Sequence, residues 1–107
     1  MTTYKKVTWS EAYSHDVEKL RDIGADVGTI VRFIETGMPM GHFYTALFEG
    51  DLHTAVTRAD SKNKERIVAL TQWIVWYAPS GCVGSVERVA EWERKGGLNS
   101  FRYSIAI

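Results

Sequence analysis

Cys82 is the only thiol in the 107-residue chain. It lies in the run Ser80-Gly81-Cys82-Val83-Gly84-Ser85, just ahead of a helix start. A thiol near a helix N-terminus has a lowered pKa and gains nucleophilic character. No base stands beside it in sequence, so His42 or His53 would have to reach it through the fold. A small buried residue in a tight loop explains the same run, and that reading weighs more. The loop also carries small residues and leads into unpaired helix amides, which could hold an anion. It lacks the spacing of a Walker loop, and no lysine follows Gly84. A plain helix–helix connection therefore weighs more again.

His15, His42 and His53 raise a metal site. A metal-binding helix places ligands at i and i+4, and no pair here has that spacing. They read as surface and capping residues, and no metal or cofactor is expected. Arg58, Lys62, Lys64 and Arg66 form the one basic concentration, which could meet phosphates. Asp60 and Glu65 dilute it, so a solvated helix end weighs more. No carboxylate pair, catalytic triad or cofactor motif appears, and no catalytic residue is assigned.

The aromatic side chains are the stronger signal. Four tryptophans, Trp9, Trp73, Trp76 and Trp92, are many for 107 residues. A protein of this size rarely buries four fully, so at least one is expected to edge a pocket or a partner surface. Tyr44, Phe48 and Tyr77 are candidates to join it.

These residues must be positioned by one small unit. With 45% hydrophobic and 24% charged residues the composition is that of a globular protein, not a disordered one. Thirteen basic and thirteen acidic side chains cancel, which excludes a generally basic nucleic-acid binder. The length suits a single domain over residues 1–107. A lone cysteine allows no internal disulfide, which points to a reducing cytosol. No signal peptide is expected, because Ser10, Glu11, His15 and Asp16 interrupt any apolar run near the start. No window approaches the roughly 20 apolar residues of a membrane span.

The periodicity predicts a mainly α fold, a bundle of four to five short helices. Val17, Leu20, Ile23, Val27, Ile30, Val31 and Ile34 recur at helical spacing from Ser14 or His15 to Thr36. Ser14 is the candidate N-cap and Gly37 the stop; Gly24 and Gly28 mark either a break or a close helix approach. Pro39 suits the first turn of the next helix, which carries Phe43, Ala46 and Leu47 and ends at Gly50. Asp51 caps a short helix with Leu52, Ala55, Val56 and Ala59. Asp60 to Asn63 opens the strongest helix, with Ile67, Leu70, Trp73, Ile74 and Tyr77 on one face, stopped by Pro79. Ser85 caps a last helix with Val86 and Val89, ended by Gly96 and Gly97. The predicted core is Val27, Ile30, Val31, Ile34, Phe43, Leu47, Leu52, Val56, Ile67, Leu70, Ile74, Val86 and Val89.

Both ends read as strands. Phe101, Tyr103, Ile105 and Ile107 alternate with polar or small residues within the tail 97–107, and Tyr4 to Trp9, within segment 1–13, also reads as a strand. They are expected to pair within the chain or between chains. The second arrangement is favoured, which makes a homo-oligomer the expectation.

The middle of the chain resembles a family of small proteins of tailed bacteriophages and prophages, for which no reaction is established. The matching residues are Phe33-Ile34-Glu35-Thr36-Gly37-Met38-Pro39-Met40-Gly41-His42-Phe43, Thr45-Ala46-Leu47, Gly50-Asp51-Leu52, Arg58-Ala59-Asp60, Asn63 and Ala78 to Ser85. They fall between about Val31 and Trp92. Members of that family carry tryptophan where this chain has Val83. The resemblance implies a phage accessory protein made in the host bacterial cytoplasm.

The leading expectation is a non-enzymatic protein that binds and inhibits or modifies a host bacterial protein, in the manner of an anti-defence factor. Its partner surface would use Tyr44, Phe48, Trp73, Phe101 and Tyr103. The alternative is a sponge for a nucleotide signal, with Arg58, Arg66, Trp76, Tyr77 and Ser85 as ligand-binding candidates. A small enzyme using Cys82 with a histidine is the third reading.

Overall fold

A computed structural model of the chain describes residues 4–98 and 103–106. Strand β1 (Tyr4–Val7) leads into seven helices: α1 (Trp9–Ala12), α2 (Ser14–Ile23), α3 (Val27–Thr36), α4 (His42–Glu49), α5 (Leu52–Arg58), α6 (Ser61–Tyr77) and α7 (Val86–Lys95). A 3-10 turn at Ser80–Cys82 separates α6 from α7, and β2 (Tyr103–Ala106) follows. The fold is mainly α, as the periodicity predicts, but with more and shorter helices.

The extra helices arise at local stop signals. The single helix expected from Ser14 to Thr36 is two. Gly24 takes the left-handed conformation and its amide closes on the Arg21 and Leu20 carbonyls, ending α2. Asp26 then accepts from the Thr29 amide and starts α3. Tyr13, not Ser14, occupies the N-cap position of α2. Near the N-terminus the strand stops at Val7. Thr8 and Glu11 form a reciprocal capping box that turns Trp9 into the first residue of α1. Pro39 lies in the connection before α4, which begins after Gly41 rather than at the proline. The Asp51, Asp60 and Ser85 caps form as expected, and α6 ends ahead of Pro79.

The helices share one core. Helix α2 packs on α6, α4 on α5, and α7 on α4 and the 3-10 turn. Ile30, Ile34, Phe43, Leu47, Leu70, Ile74 and Val89 are buried as expected. Leu20, Phe33, Phe48, Trp9, Trp73, Trp92 and Cys82 are buried with them. Val27, Val31 and Ile67 pack at the edge of this core. Leu52, Val56 and Val86 are exposed and do not belong to it. Helix α5 and its C-cap bury the small residues Ala55 and Ala59, and short side chains allow the close approach to α4.

Two helix ends meet without side chains between them. Gly37, after α3, and Gly97, after α7, both have positive φ, at 75° and 65°. A Cβ on Gly97 would stand 2.7 Å from the Ile34 carbonyl oxygen and 2.7 Å from the Gly37 nitrogen. The Trp92 indole N–H donates to the Phe33 and Ile34 carbonyls at 3.0 and 3.2 Å, and the Leu98 amide also reaches Ile34. The Ile34 carbonyl is one that the end of α3 leaves open, while the Phe33 carbonyl also accepts from the Gly37 amide.

The chain ends pair with each other. Strands β1 and β2 are antiparallel, with Tyr4 opposite Ala106 and Val7 opposite Tyr103. The intrachain pairing gives the tail a backbone partner without a second copy. Phe101 and Ile107 lie outside the described residues.

Candidate binding surface

The last two turns of α6 carry Trp73, Trp76 and Tyr77, and each meets a different environment. Trp73 is 2% exposed, and its indole N–H donates to the Asp16 carbonyl on α2 at 2.8 Å. Its ring lies 6.1 Å from that of Tyr77. Tyr77 is half-buried. Its hydroxyl accepts from the Lys19 ammonium at 3.0 Å, and the same ammonium lies 4.9 Å from the centre of the Tyr77 ring. That hydrogen bond, before any other influence, raises the Lys19 pKa above its ordinary value. Trp76 is 77% exposed, more than any other large apolar side chain among the described residues.

Two depressions flank this ridge. One, of 430 Å³, opens between α2 and α6 and is lined by Lys19, Ile23, Ala69, Gln72, Trp73, Trp76 and Tyr77. The other, of 510 Å³, lies on the far side of Trp76 and Tyr77. Trp9, Tyr13, Trp92 and Lys95 are among its walls, and the Lys95 ammonium sits 4.2 Å over the Trp92 ring. The surface thus combines an exposed indole, aromatic walls and two lysines that stack on rings. It suits flat apolar groups, with a cation at the rim of each hollow.

The nucleotide-site candidates are not brought together. Trp76 and Tyr77 share the ridge, but Arg66 stands ten residues back on α6, about 15 Å along the helix axis. Its guanidinium donates to the Gly24 carbonyl at 3.0 Å, closing the end of α2. Arg58 is exposed at the end of α5. The Ser85 hydroxyl accepts from the Arg88 amide as the cap of α7. The neighbouring Gly84 amide donates to the Phe48 carbonyl, so that part of the loop holds the fold together.

The partner-surface candidates need correction as well. Phe48 has no exposed surface and packs edge-on against Phe33 at 5.2 Å. Its place on the inner face of α4 rules out contact with a partner. Trp73 reaches the surface only as a wall of the smaller hollow. The Tyr44 hydroxyl accepts from the Asp26 amide at 2.9 Å and so fixes the start of α3. Phe101 lies outside the described residues, and of Tyr103 only the backbone is described, in β2.

The remaining chemistry candidates are dispersed. The Cys82 thiol is fully buried and donates to the Pro79 carbonyl at 3.0 Å. Burial pushes its pKa up to about 12, the opposite of an activated nucleophile. His15, His42 and His53 are exposed on α2, α4 and α5. Among the described residues, no three side chains from histidine, cysteine, aspartate and glutamate gather as metal ligands. None of the helices among the described residues is long and apolar enough to cross a membrane.

Lys19, Tyr13 and Lys95 were not visible as site residues in the sequence. Lys19 and Tyr77 are 58 positions apart, and only the packing of α2 on α6 joins them. The chain matches no protein-family model, no curated protein and no solved structure.

Proposed function

We propose that this chain is a non-enzymatic interaction protein that binds a host bacterial protein through the Trp76–Tyr77 ridge. The observation that carries the reading is the exposure of Trp76. A tryptophan side chain presents on the order of 150–250 Å² of surface. Leaving it in water forgoes several kcal/mol of burial, at about 25 cal/mol per Å². The same chain buries its other three tryptophans. Tryptophan is enriched among the few residues that carry most of the binding energy at protein interfaces. The resemblance between Val31 and Trp92 supports a phage accessory protein acting in the host cytoplasm, where inhibition of a defence factor is one such role.

The test is recovery of a specific partner from host lysate by the intact chain and by Trp76→Ala. The substitution removes exposed surface, so the melting temperature should stay within the change expected of about 0.5 kcal/mol. Partner binding should fall by about 30-fold or more, the loss of an anchor worth about 2 kcal/mol. Equal recovery by both proteins, or no partner with either, would sink the proposal.

A nucleotide ligand is the second reading, and the smaller hollow favours it. Trp76 offers a stacking face and Lys19 a cation beside it. A rise in melting temperature with a nucleotide, absent in Lys19→Ala, would move the function to this class. An unchanged melting temperature across cyclic and linear nucleotides would remove it.

A further inference from the structure

The larger hollow, of 510 Å³, brings opposite charges to one aromatic-lined space. Trp9 and Trp92 are almost fully buried, so the ring surface they present forms its floor. Tyr13 and Trp76 are exposed and give it aromatic walls. Asp16, near the start of α2, and Lys95, at the end of α7, line it as well. The ion pairs among the described residues, Arg21–Glu18 and Arg94–Glu91, involve neither. Lys19, one turn beyond Asp16, feels its charge without pairing with it and lines the other hollow. The Lys95 ammonium rests 4.2 Å over the Trp92 ring, so the floor of the hollow sets its position.

An occupant of this hollow has to suit both charges. An aromatic anion would meet Lys95 but bring a like charge to Asp16. An aromatic cation would do the reverse, and it would compete with Lys95 for ring surface. An α-amino acid carries an ammonium and a carboxylate on one carbon, with its ring a short distance away. We propose that the larger hollow is a binding site for a free α-amino acid with a flat aromatic side chain. The carboxylate meets Lys95 and the ammonium meets Asp16, each in a charge-assisted hydrogen bond. The ring lies against Trp76 and Tyr13, where offset or edge-on contact between aromatic groups is favourable.

This site does not rest on the partner reading, and its test leaves Trp76 in place. The full chain is titrated with phenylalanine, phenylalanine amide and N-acetylphenylalanine, and the indole N–H resonance of Trp76 is followed by NMR. The amide lacks the carboxylate, and the acetylated form lacks the ammonium. Phenylalanine should shift the resonance saturably. Each blocked form should bind about fivefold more weakly, the size of one exposed ion pair. Lys95→Met should remove the preference over the amide and keep the preference over the acetylated form. Asp16→Asn should do the reverse. No saturable shift with phenylalanine overturns the inference, and so does equal binding of all three compounds, which would leave ring contact alone. Tighter binding of either blocked form would assign the hollow to a single charge and overturn it too. A Lys95→Met protein that still prefers phenylalanine to the amide would refute the part given to Lys95.

Discussion

Glu49, at the end of α4, shows how a single carboxylate can work against the fold. Burial, followed by the charges of Asp51, Glu93 and Glu87, raises its pKa above the ordinary 4.5. The fold therefore prefers the protonated form. The stabilising contribution is complete below the unfolded value and is lost as pH rises through the raised folded one. At neutral pH the ionised Glu49 costs stability. Glu49→Gln should raise the melting temperature at pH 7, and the gain should disappear below about pH 4, where wild-type Glu49 is itself protonated. A thermal melt series across pH reads both limbs; a gain that persists in acid would point to packing instead. The need for an aromatic at the surface was legible in the number of tryptophans. Which one supplies it was not, because Trp73 and Trp76 share a helix three residues apart. Only the position of α2 buries the first and leaves the second in water.

Local signals decided most element boundaries. The caps at Asp51, Asp60 and Ser85 and the stop at Pro79 act within a few residues of chain, so their sequences carry them. The inward face of a short helix is set by its neighbour, not by its own pattern. In α5 the larger Leu52 and Val56 stay outside while Ala55, and Ala59 at the C-cap, go in, and size alone misleads. The junction of α3 and α7 depends on two elements at once. Gly97→Ala would place a side chain at positive φ and drive its Cβ into backbone atoms of Gly37 and Ile34. The conformation costs about 1–2 kcal/mol and the overlap about 1–3 more. Chemical denaturation should show a loss of about 2–5 kcal/mol, and a loss below 1 kcal/mol would mean that the two helix ends part easily.

At the scale of the molecule, 53 × 29 × 19 Å, the thin axis is about two helix diameters. A body so flat gives a helix neighbours on few sides, and α6 accordingly leaves Val68, Val75 and Trp76 exposed. The terminal strands are the one β element among the described residues. Their alternation was legible, but not their partner, since a strand pattern does not say which edge completes it. Removing Tyr103 to Ile107 takes away all four cross-strand positions opposite β1. At about 0.2–1 kcal/mol each this should cost about 1–4 kcal/mol, read as a lower melting temperature, and an unchanged value would show that the ribbon contributes nothing. The register has a mechanical consequence too. Tyr4 and Ala106 face each other at the open end of the ribbon, so tension applied between the two chain ends loads its hydrogen bonds one after another. The ribbon would peel like a zipper at low force before any helix bears load, and it serves as a fuse in series with the helical body.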